Sequence, residues 1–168
     1  VIADYPGAVR ERDDLLMRRA WAAGLTTLNG AKPPRHDQPI RVLTQKSVPC
    51  DGVSEAGPSS EDVKSLFGNF TDVEIVALDD LQQLDWTGLP ADGRLTVLAS
   101  NHRDRYAPRA AAWTPDLHLV LWNPFQALDI TAPAVVTWGY ADGALAALRS
   151  WLEGRGQAPG RAPVRLAH

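Results

Sequence analysis

The chain has 168 residues, of which 45% are hydrophobic and 22% are charged, so it can fold around one sizeable core. A formal net charge of −3 gives no basic surface of the kind that binds nucleic acid. The single cysteine excludes an internal disulfide and a zinc site built from several cysteines. We find no apolar run long enough to cross a bilayer and no signal-peptide pattern, so we expect no membrane segment and favour a cytoplasmic location.

The N-terminal quarter predicts a loop, a helix, a short strand and a second loop. A Pro-Gly pair indicates loop or linker over residues 1–7, and prolines and glycine indicate a loop over 29–39. Residues 25–28 suit a short strand. A helix is predicted over 11–23, and its three- and four-residue spacing of apolar side chains predicts a buried face made of Leu15, Leu16, Ala20 and Ala23.

Five further apolar runs predict the strands of a sheet. They are short, contain many β-branched or aromatic residues and lack clean alternation, which is typical of parallel strands buried on both faces. They lie at residues 40–44, 73–78, 95–99, 117–122 and 134–138.

Helical patterns separate or follow these strands. Ser59 and Asp62 have the spacing of a capping box and predict a helix over 59–68. A second helix is predicted from Asp142, which can cap its first turn, to Gly154, which suits the left-handed position past a helix end. Strands that alternate with helices imply right-handed crossovers. We therefore predict an α/β fold with a doubly wound, mainly parallel sheet of five to six strands, helices on both faces and a flavodoxin-like strand order.

The C-terminal third resembles a known family. The order of "NPF", "VVTWGYADGALAALRSWLEG" and "APGRAPVRL" is similar to the end of the second domain of glycoside hydrolase family 3. There a strand leads through an aromatic loop into a helix, and a "PxGxLPV" tail follows. Here Ala162 stands where that tail usually has leucine. The resemblance extends over most of the chain and is closest to the β-N-acetylhexosaminidase branch.

The resemblance implies an organisation and a role. Residues 1–39 would be the linker helix and loop that follow a βα-barrel, and residues 40–168 would be the α/β C-terminal domain. The barrel would be the partner of this domain and would bind the carbohydrate substrate. The activity of the whole enzyme would be hydrolysis of terminal β-linked N-acetylglucosamine or a related sugar. This domain would brace the barrel and line one side of the sugar site. Its tail would pack back on the fold through Val164 and Leu166.

The loops after the predicted strands meet at one edge of the sheet, where open parallel sheets bind ligands. Aromatic rings at such an edge can stack on a sugar or pack against a neighbouring domain. A polar loop edge is also what any soluble protein shows. The candidates for substrate binding or docking at this edge are Asp51, Ser54, His102, Asp104, Arg105, Asn123, Trp138 and Tyr140.

Glu55 is the carboxylate that we weigh as a catalytic acid. The β-glucosidase branch of family 3 takes its proton donor from a loop glutamate of the second domain. That branch places its glutamate after a later strand than Glu55, and the hexosaminidase branch uses a His–Asp pair of the barrel instead. We therefore expect no catalytic residue in this chain and a solvated role for Glu55. His118, inside a strand, is expected to be a core histidine.

A free-standing flavodoxin-like module that binds a nucleotide, a flavin or phosphate is the alternative. The loop over 45–58 speaks against it, because it is long and acidic, forms no glycine cradle and offers only Lys46 to a phosphate. We expect no cofactor and no metal.

Overall fold

The computed structural model describes residues 7–166, so the loop predicted over residues 1–7 lies outside the described part except for Gly7. The strands are β1 (Thr26–Leu28), β2 (Ile40–Gln45), β3 (Val73–Leu78), β4 (Leu95–Ser100), β5 (Leu117–Val120) and β6 (Ala134–Val136). The α-helices are α1 (Gly7–Gly24), α2 (Ser60–Ser65), α3 (Gln126–Asp129) and α4 (Asp142–Leu152), and 3-10 helices span Leu81–Gln83 and Pro108–Ala112. Within residues 7–166 we find no helix that combines the length and the apolarity needed to span a membrane.

The six strands form one sheet in the order β1-β6-β5-β4-β2-β3. β2 to β6 are parallel, and β1 pairs antiparallel with β6. Counted along the chain, the five parallel strands have the order 2-1-3-4-5, which is the flavodoxin-like order. The fold prediction is confirmed, and the strand that begins at Leu117 lies inside the sheet, between β4 and β6.

Both faces of the sheet are covered. On one face, buried Val97 and Leu119 pack with Phe67, just beyond α2, and Leu148 of α4. The other face is covered by the two 3-10 helices and the residue after α3, where Leu81, Ala110 and Ile130 pack with buried Leu43 and Leu98. Pro108 opens the helix Pro108–Ala112, since a proline lacks the N–H that the first helical position leaves unused.

The ends of the helices follow the sequence in part, and α2 ends at Ser65, before the predicted end at residue 68. Asp62 accepts a hydrogen bond from the N–H of Ser59 at 2.7 Å, and the Ser59 hydroxyl accepts one from the N–H of Asp62 at 3.2 Å, so the capping box is confirmed. Gly154 adopts the predicted left-handed conformation, with φ 73°. The cap predicted at Asp142 is wrong: Ala141 is the N-cap residue, and Asp142 lies in the first turn, where its charge suits the helix dipole.

The helix α1 is present, but the face predicted to be buried is exposed. Leu15 and Leu16 are 48% and 55% exposed, and α1 contributes no buried residue. The helix packs on α4 through another side, where Trp21 lies so close to Gly143 that a Cβ there would be 2.6 Å from its ring. Apolar spacing therefore located the helix without identifying the face that packs.

The C-terminal tail is ordered against β1. Thr26 forms a bridge with Pro159, and the N–H of Gly160 donates to the carbonyl oxygen of Leu25 at 2.9 Å. Leu166 is 2% exposed and Val164 is 44% exposed. The predicted packing of the tail is therefore confirmed for Leu166 and wrong for Val164.

Candidate functional site

Four loops meet at the carboxyl edge of the parallel strands. They follow β2, β4, β5 and β6 and span residues 46–59, 101–107, 121–125 and 137–141. In open sheets of this kind the ligand crevice lies where the strand order reverses, which here is between β2 and β4. The groups that occupy this switch point decide what the edge can bind.

The switch point is occupied by a buried amide. Asn101 accepts a hydrogen bond from the N–H of Gln45 at 3.1 Å and donates to the carbonyl oxygens of Gln45 and Pro58, both at 2.8 Å. Gly57 lies so close that a Cβ there would be 2.6 Å from the ring of Trp122 and 2.8 Å from the carbonyl oxygen of Asn101. The loop after β2 is therefore tied across the position at which related folds hold a ligand.

An aromatic and charged group, which we call the edge cluster, lies beside this closure. It consists of Asp51, Arg103, Trp122 and Tyr140. The ring centroids of Trp122 and Tyr140 are 4.7 Å apart, and the Arg103 guanidinium carbon lies 5.9 Å from the Trp122 centroid. Arg103 forms an ion pair with Asp51 at 2.6 Å. Trp122 thus lies beside residues of the other three loops, since the backbone of Gly57 in the first loop also approaches its ring.

The surroundings of Asp51 and Tyr140 shift the pKa values of both groups. The backbone N–H of Ser54 donates to Asp51 at 2.7 Å, and such bonds, with the charge of Arg103, hold the pKa of Asp51 below its usual value. Desolvation, and then the negative charge of Glu55, raise the pKa of Tyr140. Glu55 itself is exposed. Asp51 is therefore ionised and Tyr140 protonated at neutral pH, with turn formation and packing as their visible roles.

The loop 101–107 is held from below by a buried glutamine. Gln126 Nε2 donates to the carbonyl oxygens of His102 at 2.9 Å and of Asp104 at 2.8 Å. His102 is 3% exposed, and desolvation lowers its pKa, partly offset by the negative charges of Asp104 and Asp80. The side chain of Asp104 is exposed. Because the imidazole of His102 is buried, it does not face solvent at the edge.

Arg105 and Asn123, two other predicted candidates, form contacts with neighbouring segments of the chain. Arg105 makes a two-pronged ion pair with Asp129, with Nε 2.9 Å from Oδ2. Asn123 donates to the carbonyl oxygen of Arg103 at 2.8 Å and accepts from the N–H of Phe125 at 3.1 Å. The structure places both in contacts within the domain, which hold the loops in position.

Trp138 lies apart from the edge cluster. Its φ of 63° is in the left-handed region, which is rare for a bulky residue. Its indole N–H donates to the hydroxyl of Thr26 at 3.0 Å, and its ring packs beside Leu28 and Ala162. The indole of Trp138 therefore packs against β1 and the tail.

His118 is a buried core histidine, as the sequence predicts. Its Nε2 lies 2.7 Å from the hydroxyl of Ser100, which is 2.6 Å from the hydroxyl of Tyr106. Complete burial lowers the pKa of His118 to about 3, so it is neutral in the folded chain. This chain of hydrogen bonds is buried and joins the core to Tyr106 of loop 101–107.

The edge presents exposed apolar side chains and ion pairs rather than a cluster of metal ligands. Among residues 7–166, no group of three or more His, Cys, Asp and Glu side chains is arranged to hold a metal ion. Apolar side chains stand out instead: Val53 is 95% exposed and Phe125 is 43% exposed. With half-buried Trp122 and Tyr140 they give this edge apolar surface bordered by ion pairs, which is typical of interfaces.

Asn101, Arg103 and Gln126 follow predicted strands and belong to the polar groups expected at this edge, but they are not among the candidates for binding, and neither is Trp122. The sequence predicts Trp122 at the end of a strand; the strand stops two residues before it, so the ring belongs to the loop. A tryptophan that directly precedes an Asn-Pro turn was the available signal. The burial of Asn101 and Gln126 had no signal in the sequence, because it depends on which loops meet.

Comparison with known proteins finds one similarity, to a solved structure and not to a sequence family. No family model matches the sequence, and no curated protein matches it. A solved structure of a β-glucoside phosphorylase, BglX, is similar to this chain with a TM-score of 0.61 at 14% sequence identity. The likeness covers 92% of this chain and 32% of that enzyme, so the chain spans about a third of its length. At this identity the likeness shows the fold.

Proposed function

We propose that this chain is the C-terminal domain of a family 3 glycoside hydrolase and that it braces the catalytic βα-barrel of the same enzyme. The observation that carries the proposal is the match of almost the whole chain to one third of a family 3 enzyme acting on β-glucosides. The aromatic loop, helix and tail found in the sequence support the same family independently. The flavodoxin-like strand order agrees with both.

The carboxyl edge is the surface that we assign to the barrel. Its loops are tied together by Asn101 and Trp122, so they are rigid before docking, which lowers the entropy cost of association. Val53 and Phe125 expose apolar surface there. Contacts of this kind stabilise interfaces between domains of one chain. A barrel seated on this edge would place the edge cluster along one side of the sugar site.

The reaction that we propose is hydrolysis of a terminal β-linked N-acetylglucosamine or a related sugar. The hexosaminidase branch rests on the sequence resemblance, whereas the similar solved structure is named for β-glucosides, so a β-glucoside is the second candidate substrate. Two carboxyl groups about 5 Å apart are needed for hydrolysis with retention, and we assign the catalytic pair to the barrel. In the assembled enzyme, Glu55→Gln should therefore leave the rate close to that of the wild type.

The alternative function, a free-standing nucleotide or phosphate module, is opposed by the closed switch point. Asn101 and Gly57 occupy the position where such a module opens its crevice. The only cation at the edge cluster, within the described chain, is Arg103, and Asp51 neutralises it. These contacts favour a protein surface over a phosphate site.

The docking proposal is tested by binding of this chain to the separately expressed barrel, measured by calorimetry. Phe125→Glu at the edge is compared with Val164→Glu on the tail, because the two side chains are almost equally exposed, at 43% and 44%. A buried charge in an interface is costly, so we expect Phe125→Glu to weaken binding at least tenfold and Val164→Glu to leave it unchanged. Absence of binding by the wild type, or equal binding by both variants, would refute the proposal.

A further inference from the structure

The orientation of the Gln126 amide is set by the loop above it. Gln126 is fully buried, and its Nε2 lies 2.9 Å from the carbonyl oxygen of His102 and 2.8 Å from that of Asp104. Carbonyl oxygens only accept hydrogen bonds, so the nitrogen end of the amide must point at the loop. Turning the amide would place its oxygen against both carbonyl oxygens and would lose both bonds.

The burial of His102 restricts its protonation state. Its Nδ1 lies 3.3 Å from the Gln126 nitrogen, and the backbone of Asp104 forms a hydrogen bond that favours the charged ring. Its Nε2 is buried without a hydrogen-bond partner in the described chain. Both nitrogens of a charged ring carry a proton, so Nε2 would place an unbonded N–H and a positive charge in a buried site. The closed loop therefore favours a neutral imidazole.

We propose that Gln126 and His102 form a pH-sensitive latch that closes loop 101–107 while His102 is neutral and releases it in acid. The loop carries Arg103, whose carbonyl oxygen is bound by Asn123 and whose guanidinium pairs with Asp51. Opening of the loop therefore takes the edge cluster apart. The surface that we assign to docking is complete only at neutral or higher pH.

The surroundings of His102 determine the direction of the effect. Desolvation is the largest effect on His102 and lowers its pKa below 6.5, whereas the charges of Asp104 and Asp80 and a backbone hydrogen bond with Asp104 favour the charged ring. From the other sides the ring meets Gln126 of α3 and the edge of Tyr106, with ring centroids 5.0 Å apart, and it interacts electrostatically with His118 of β5. The open loop binds the proton more readily than the closed loop. Stability of the closed loop is therefore full above pH 6.5 and is lost as pH falls.

Amide hydrogen exchange on this chain alone tests the latch, so the outcome does not depend on the proposed function. The reporters are the N–H groups of Tyr106 and Ala107, which donate to Asp129 at 3.0 Å and to Gln82 at 3.1 Å, and the amide of Leu98 in β4 is the reference. After correction for intrinsic exchange, we expect the reporters to lose up to tenfold protection per pH unit between pH 6.5 and the pKa of His102. Protection at Leu98 should fall less.

Two variants separate the latch from general acid sensitivity. His102→Phe keeps a ring beside Tyr106 and cannot titrate, so the two reporters should respond to pH no more than Leu98 does. His36→Asn removes an exposed histidine and should behave as the wild type does. NMR titration of the His102 ring in the wild type supplies a measurement that needs no variant, and its midpoint should coincide with loss of protection. Equal reporter protection at pH 7.5 and 4.5, or wild-type behaviour of His102→Phe, would overturn the proposal.

Discussion

Replacing Gly57 with alanine is the change that most directly perturbs the closed switch point. A Cβ at this position would lie 2.6 Å from the ring of Trp122 and 2.8 Å from the carbonyl oxygen of Asn101. The backbone of Gly57 is not in the left-handed region, so alanine adds no conformational strain, and the effect comes from these contacts. Because Asn101 is fixed by three hydrogen bonds, the loop 46–59 has to move instead.

Inserting a methyl group into a packed site costs about 1–3 kcal/mol. For a chain of this length, each 1 kcal/mol lowers the melting temperature by about 2–4 °C. We therefore expect Gly57→Ala to melt roughly 2–12 °C below the wild type. Its urea midpoint should fall with little change in slope, because the core that unfolds is the same.

The matched control is Gly24→Ala, in which a new Cβ meets no atom within 4 Å. Circular dichroism during heating and urea titration measures both variants, and the NMR signal of the Trp122 indole reports the local change. We expect that signal to move in Gly57→Ala alone. Neutral surface substitutions change the free energy of unfolding by up to about 0.5 kcal/mol. A change of that size or smaller in Gly57→Ala would refute the reasoning that a Cβ at this position collides with Trp122.

Other predictions concern the core and the packing of α1. The pKa of His118 in the folded chain, about 3, is below its ordinary value of 6.5, so its contribution to the free energy of unfolding is complete above pH 6.5 and is lost as pH falls. Urea titration should give a free energy of unfolding about 2 kcal/mol lower at pH 5. His118→Gln should reduce this loss. Asn101→Leu should cost about 3 kcal/mol or more, because it leaves backbone groups of Gln45 and Pro58 without partners; equal stability in urea would contradict this. Gly143→Ala should displace Trp21 and expose α1 to proteolysis, with the rest of the chain folded.

Strand positions could be predicted because a strand that is buried on both faces requires a continuous apolar run in the sequence. The runs that became β2 to β6 are continuous and apolar, and a parallel sheet needs such runs whatever lies around them. The capping box at Ser59 is equally local, since both of its hydrogen bonds lie within four residues. These features and the crossover rule predict the fold class and a doubly wound parallel sheet, whereas the flavodoxin-like strand order is a separate expectation.

Packing partners could not be predicted in the same way. The spacing of Leu15 and Leu16 marks a helix with an apolar stripe, but Trp21 and the space above Gly143 determine which side of α1 packs. Likewise, the loops that carry the edge residues were predicted, whereas Asn101 and Gln126 acquire their roles only where separate loops meet. Proximity in the sequence predicts Trp138 beside Tyr140 at the edge, whereas in the structure its backbone is left-handed and its indole packs against β1.

The central claim, that this chain is an accessory domain, is tested most directly by activity. The purified chain is assayed with chromogenic β-N-acetylglucosaminide and β-glucoside, alone and after addition of the separately expressed barrel. We predict no turnover by the chain alone, because the edge carboxylates Asp51, Glu55 and Asp104 are exposed and come from two different loops. We predict greater turnover by the barrel when the chain is present. Turnover by the chain alone that is lost on substitution of Glu55 or Asp104 would contradict the account.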